Sequence, residues 1–164
     1  MRVIYKNAIG FGCCFLLAII LSACGSSGQV SESASEMVSA MVSADASFPE
    51  YTLLTSDDAD AELNFTSLSD FSYSKVAEYA YAYSSEGLAE EVAVVRLKDS
   101  SDAASFMNTL TKHVESRIGT MEAYAPDQVS VLENHILTHE GAYVCLIVSE
   151  KNGLQKSVFQ DFFE

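Results

Sequence analysis

The chain has 164 residues, of which 23 are Asp or Glu and 9 are Lys or Arg, giving a formal net charge of −14. A surface of that sign repels phosphate backbones and anionic headgroups, which excludes nucleic acid as a partner. The length suffices for one domain with its own core.

The first segment carries Arg2 and Lys6 and then an apolar run from Ala8 to Leu21 (AIGFGCCFLLAIIL). That run is shorter than the ~20 residues a helix needs to cross the hydrocarbon core. A basic start, a short apolar stretch and small residues at its end predict a secretory signal rather than a permanent span. The end, Leu21-Ser22-Ala23-Cys24, resembles the lipobox of bacterial lipoproteins. The resemblance implies that a prolipoprotein diacylglyceryl transferase loads the sulfur of Cys24 and that lipoprotein signal peptidase cuts between Ala23 and Cys24. The alternative is an ordinary secretory signal with an incidental cysteine. One acyl chain holds a protein to a bilayer only marginally, and diacylglycerol supplies the two that stable attachment needs. Gly25-Ser26-Ser27-Gly28 then reads as a flexible tether. The expected location is the bacterial cell membrane, lipid-anchored and facing outside the cytoplasm. Cleavage discards Arg2, Lys6, Cys13 and Cys14, so the mature chain is more acidic still and Cys145 is left without a disulfide partner.

The expected organisation is a signal over residues 1–23, a lipidated cysteine with tether and N-terminal helix over 24–47, and a single domain over 48–164. Met37, Val38, Met41 and Val42 recur at helical spacing within Val30 to Ala46, which ends before Phe48-Pro49. Asp57, Asp58, Asp60 and Glu62, ahead of Leu63 and Phe65, suit a short helix with carboxylates in its first turn. Lys75 to Ser84 alternates strictly, with Tyr79, Tyr81 and Tyr83 on one face and Glu78, Ala80 and Ala82 on the other, so it is a strand. Glu91 to Lys98 is a second strand, with Ala93, Val95 and Leu97 on one face, and the two form an antiparallel hairpin.

Asp99-Ser100-Ser101-Asp102 opens a long helix. Ala103, Met107, Leu110, Val114, Ile118 and Met121 make its apolar stripe, flanked by Phe106 and Arg117. Tyr124-Ala125-Pro126 stops it, and PDQVSVLE begins a short helix on proline. Asn134 to His139 and Ala142 to Ser149 form a second hairpin about Glu140-Gly141. A final helix follows Lys151-Asn152-Gly153, with Leu154, Val158, Phe159 and Phe162 on one face. The predicted fold is α+β: a four-stranded antiparallel sheet with helices packed on one face, in the order α-ββ-α-ββ-α.

No catalytic constellation emerges. His135 and His139 have the H-x-x-x-H spacing, but on a strand a rise of ~3.3 Å per residue separates them by about 13 Å. One zinc ion with bonds of ~2 Å cannot take both, and His113 has no nearby cysteine or acidic triad in sequence, so no metal is expected. Asp58-x-Asp60-x-Glu62 imitates a calcium loop, but Leu63 stands where glycine is needed and Ser69 where glutamate is needed. No serine lies in a G-x-S-x-G elbow and no glycine-rich phosphate loop is present, so no cofactor is expected. Cys145, in the run AYVCLIVS, is expected to be a buried small hydrophobe. Tyr79, Tyr81 and Tyr83 are either aromatic packing on a sheet face or an exposed strip for a sugar ring or peptide, with Tyr124 beside Pro126 as a fourth candidate. If Ala80 and Ala82 let the long helix approach closely, the three tyrosines point outward.

The lipobox and tether, the strand ending EVAVVRLKD, the helix closing on MEAYAPDQVSVLEN and the strand GAYVCLIVS together resemble the domain-of-unknown-function family number 4358, lipoproteins of clostridia and related bacteria. The resemblance spans Phe48 to Glu164. It implies a fold and a location and supplies no catalytic residues. The expectation is a non-enzymatic interaction or accessory module of the cell envelope with a protein or cell-wall partner. A small-ligand binding protein serving a transporter or sensor is the alternative.

Overall fold

The computed structural model describes residues 30–164. Cys24, Ala23, the apolar run and the tether lie outside the described residues.

Helix α1 (Ala34–Ala44) starts at Ser33, whose hydroxyl accepts from the Glu36 amide at 3.2 Å while the Glu36 carboxylate accepts from the Ser33 amide at 2.8 Å. This reciprocal cap satisfies two amide donors that a helix start otherwise strands. Strand β1 (Tyr51–Thr55) follows, then helix α2 (Ala61–Phe65), strand β2 (Val76–Ser84) and strand β3 (Glu91–Leu97). Helix α3 (Ala103–Tyr124) is entered through a 3-10 turn in which the Asp99 side chain accepts from the Ser101 amide. It ends where Pro126 forces a second short turn into helix α4 (Val129–Glu133). Strands β4 (Ile136–Glu140) and β5 (Tyr143–Val148) flank Gly141, whose φ of 54° suits the left-handed turn there. Helix α5 (Asn152–Asp161) closes the order.

All five strands pair antiparallel in the spatial order β1-β2-β3-β5-β4. The sheet thus has one strand more than expected, β1, set against β2 from Tyr51↔Ser84 to Thr55↔Ala80. It is also covered on both faces. On one side Phe65 of α2, Phe106, Leu110 and Val114 of α3 and Leu132 of α4 pack on Tyr79, Tyr81, Ala93, Val95, Val144 and Leu146. On the other, Met37, Val38 and Met41 of α1 and Phe159 of α5 pack on Ala80, Ala82, Val94, Cys145 and Ile147. Each large apolar side chain so buried contributes ~1.5–3 kcal/mol. Helix α1, placed with the tether by its position in sequence, thereby supplies a covering layer of the domain.

Three further expectations are corrected by this packing. The alanines of β2 do admit a helix at close range, but that helix is α1; Tyr79 therefore faces α2 and Tyr81 faces α3, and they are 1% and 4% exposed. On α3, Phe106 is fully buried while Met107 and Ile118 are only partly so, which turns the stripe toward Phe106 and Arg117. On α5, Gln155 is buried beside Phe159, and Leu154 is exposed.

Candidate functional site

The alternation of β3 places Glu91 on the same face as Ala93 and Val95, beneath α3, with its side chain fully buried. Burying a lone carboxylate is costly, so charged or hydrogen-bonding partners are required. Tyr81 of β2 donates its hydroxyl to Glu91 Oε2 at 2.5 Å. One turn apart on α3, His113 and Arg117 reach the same group. His113 Nε2 lies 3.1 and 3.0 Å from the two carboxylate oxygens. Arg117 Nη1 lies 2.6 Å from Oε2 as a charge contact without hydrogen-bond alignment, and Nη2 donates to the Leu88 carbonyl at 3.0 Å. Burial by itself would raise the Glu91 pKa; the hydrogen bond and charge of His113 and the charge of Arg117 outweigh it and hold the carboxyl below its usual range. Burial first, and then the Glu91 charge, push the Tyr81 hydroxyl far above its ordinary value, so it stays protonated. The cluster joins β2, β3 and α3 and pins the β2–β3 connection at Leu88.

A second polar region lies open to solvent. Register places Glu78 opposite Arg96, Arg96 opposite Tyr143 and Tyr143 opposite Glu140, a row across β2, β3, β5 and β4. It shares the face of Ala80, Val94 and Cys145 but lies beyond the cover of α1 and α5. Val30 to Ser33 and Phe163 wall it, forming a cleft of about 690 Å³. Within it Glu78 is fully engaged. Its Oε1 accepts from the Ala34 amide at 2.7 Å, and its Oε2 accepts from Arg96 Nε and Nη2, each at 3.2 Å. Tyr143 and Phe163 meet edge to face with ring centroids 5.3 Å apart. Burial raises the Tyr143 hydroxyl; Arg96 opposes that shift, while Glu78 and Glu32 add to it. Glu32 and Glu140 form no ion pair among the described residues.

The residues singled out from sequence fall apart into different surroundings. Tyr79 donates to the Ala61 carbonyl at 2.8 Å, and its hydroxyl is pushed up to about 12, chiefly by burial. Tyr83 is partly buried and leans on Tyr81 at 5.2 Å. The outward tyrosine strip on β2 is therefore absent, because the face it occupies belongs to the α3 core. Tyr124 is 85% exposed at the end of α3 and remains separate from them. His135 precedes β4 and its Nδ1 bonds the Leu132 carbonyl at 2.7 Å, while His139 is exposed on β4. Asp58 is used locally, accepting from the Thr55 amide at 2.8 Å. Cys145 is fully buried, and burial pushes its thiol up. Among the described residues no group of three His, Cys, Asp or Glu side chains is placed to hold a metal ion. No described helix is long and apolar enough to cross a membrane.

Sequence reasoning missed both polar regions. Signals for the first were present: Glu91 shares the parity of the apolar face of its strand, and His113 and Arg117 stand four apart on a helix whose apolar stripe they adjoin. The open row needed the strand order, which sequence does not print.

Fold and site together define an α+β domain with an antiparallel five-stranded sheet between two helical layers, sealed around one internal charge cluster and open along one charged row. The chain belongs to the family described as a domain of unknown function, DUF4358, which matches residues 51–149. That span holds the sheet and the layer of α2, α3 and α4, while α1 and α5 lie outside it. No curated protein and no solved structure matches the chain.

Proposed function

We propose that the protein is a membrane-tethered extracytoplasmic lipoprotein whose domain is a non-enzymatic interaction module of the cell envelope. The observation that carries the reading is the ordered run at the N-terminus: basic start, short apolar stretch, Leu21-Ser22-Ala23-Cys24, then Gly25 to Gly28 leading into the domain. The internal charge cluster supports the second half of the reading, since the Glu91 carboxylate is sealed and spent on the fold. Tyr79 and Tyr81 are buried and give the module no contact surface, whereas the charged row is open to solvent.

A small-ligand binding role is favoured by one observation, a cleft whose volume falls in the ~300–1,000 Å³ usual for ligand sites. Its mixed charged and aromatic lining, open to solvent, fits a protein segment better than a drug-sized apolar ligand.

The anchor is tested by metabolic labelling with a fatty acid and by intact mass. Wild-type chain takes up label and begins at acylated Cys24, and Cys24→Ala takes up none and is not cut there. A wild-type chain that matures unacylated from another residue overturns the reading.

A further inference from the structure

We infer that α5 is a releasable cover, able to leave the β4–β5 half of the sheet while the rest of the domain stays folded. The two helices on that face divide it between them. Helix α1 lies over β2 and β3, and α5 lies over β5 and β4, where Cys145 and Ile147 are fully buried. They are held very differently. Helix α1 begins on its reciprocal cap, buries five residues and is tied at both ends. The Ala34 amide donates to Glu78 at 2.7 Å, and Asp45 accepts from Ser149 Oγ at 3.0 Å.

Helix α5 buries only Gln155 and Phe159 of its ten residues. Gln155 is fully buried, yet neither polar atom of its amide has a hydrogen-bond partner among the described residues. Seating the helix thus strips the amide of water and returns no bond, a loss that lifting the helix recovers. No side chain caps the helix start, where Lys151 stands at the cap position. Charge opposes the helix dipole at both ends, Lys151 at the positive end and Asp161 at the negative end. What holds the cover is aromatic: Phe159 meets Phe163 at 5.0 Å, and Phe163 meets Tyr143 at 5.3 Å. Helix α5 is also the last described element, so it can lift without moving a strand or another helix. Openings of this kind lie below the free energy of full unfolding. The chain can therefore bare half of one sheet face and remain a folded domain.

The test alkylates the full chain with N-ethylmaleimide and scores each cysteine separately by peptide mass mapping. Cys145 is sealed beneath α5, so its reaction reports the lifting of that helix. Val144→Cys adds a reference thiol on the neighbouring residue of β5, on the opposite face beneath α3, where Val144 is fully buried. Cys145 is expected to react at least about tenfold faster than the thiol at 144, and with a weaker dependence on urea, because the opening exposes less surface than unfolding. Gln155→Leu removes the unpaired amide and keeps its bulk, and should slow Cys145 about tenfold. Val114→Ala, in the α3 core, should speed the reaction at 144 about tenfold and leave Cys145 unchanged, since the open form keeps α3 seated. Equal rates at 144 and 145 overturn the inference. So does a Gln155→Leu chain that reacts as fast as wild type or faster, or a Cys145 rate that follows Val114→Ala. If Val144→Cys does not fold, hydrogen exchange of the wild-type chain decides. Amides of α5 are expected to exchange at least about tenfold ahead of those of α1, and equal protection of the two helices overturns the inference.

Discussion

Replacing Glu91 with Gln removes one charge from the interior and keeps the shape. In the native cluster the carboxylate receives the Tyr81 hydroxyl, His113 Nε2 and the Arg117 charge, all within 3.1 Å. The amide carries no charge for Arg117 and turns an N–H₂ toward groups that are themselves donors. Removing one partner of a buried ion pair costs about 3–5 kcal/mol. Arg117 retains some access to water, its side chain being 21% exposed, which places the loss at the lower end, about 3 kcal/mol. For a domain of this size that is a fall of about 10 °C in Tm, readable by calorimetry or near-ultraviolet circular dichroism. The pH dependence has a definite sign. The native carboxyl lies below its unfolded value of 4.5, so its contribution is complete above that value and is lost as pH falls through the native pKa. The deficit of Glu91→Gln should therefore shrink in strong acid, as pH falls through the native pKa of the carboxyl. A second variant checks the cause: Glu91→Leu with His113→Phe, Arg117→Met and Tyr81→Phe, which removes every charge together with the hydroxyl that would be left unpaired, should recover most of the loss. A Glu91→Gln protein melting within about 2 °C of wild type at pH 7 would refute the claim that this cluster holds α3 to the sheet.

Tyr81→Phe deletes one hydrogen bond to a charged group and should cost about 1.5 kcal/mol in urea unfolding, whereas Tyr81→Ser, which also empties a core position, should cost several times more. Ala80→Leu pushes against α1 and should cost about 1–3 kcal/mol, and an unchanged midpoint would mean α1 does not sit on β2 in solution. The purified chain should hold no stoichiometric zinc by elemental analysis, since among the described residues no three His, Cys, Asp or Glu side chains are placed to hold a metal ion; one tightly held zinc lost on His135→Ala would contradict this.

The elements with a single strong period were legible from residues alone. The alternation of β2, the stripe of α3 and the Glu140-Gly141 turn each reflect one dominant local preference. Strand β1 was not legible because its two central residues, Leu53 and Leu54, serve opposite cores, one under α1 and the other under α2 and α3. A strand covered on both faces reads as a short apolar run without alternation. The same double cover explains the inverted tyrosines. Small residues on β2 correctly announced a closely packed helix, but two helices compete for the role, and sequence does not say which helix takes which face. Glu91 lay hidden for a related reason: a charge at the start of a strand is ordinarily a solvated end, and only the arrival of His113 and Arg117 from a distant helix makes it internal.

Helix α1 has a consequence for the order in which the chain can become itself. Among the described elements it comes first, yet the surfaces it covers, Ala80, Ala82 and Val94, come tens of residues later, and its neighbour α5 comes last. Until that last helix arrives, Met37 and Met41 have no complete shelter. That face of the sheet is therefore closed only when elements far apart in the chain meet on it. A chain cut before residue 152 would lose Phe159 from that face and leave the part of the sheet beside α1 open to solvent.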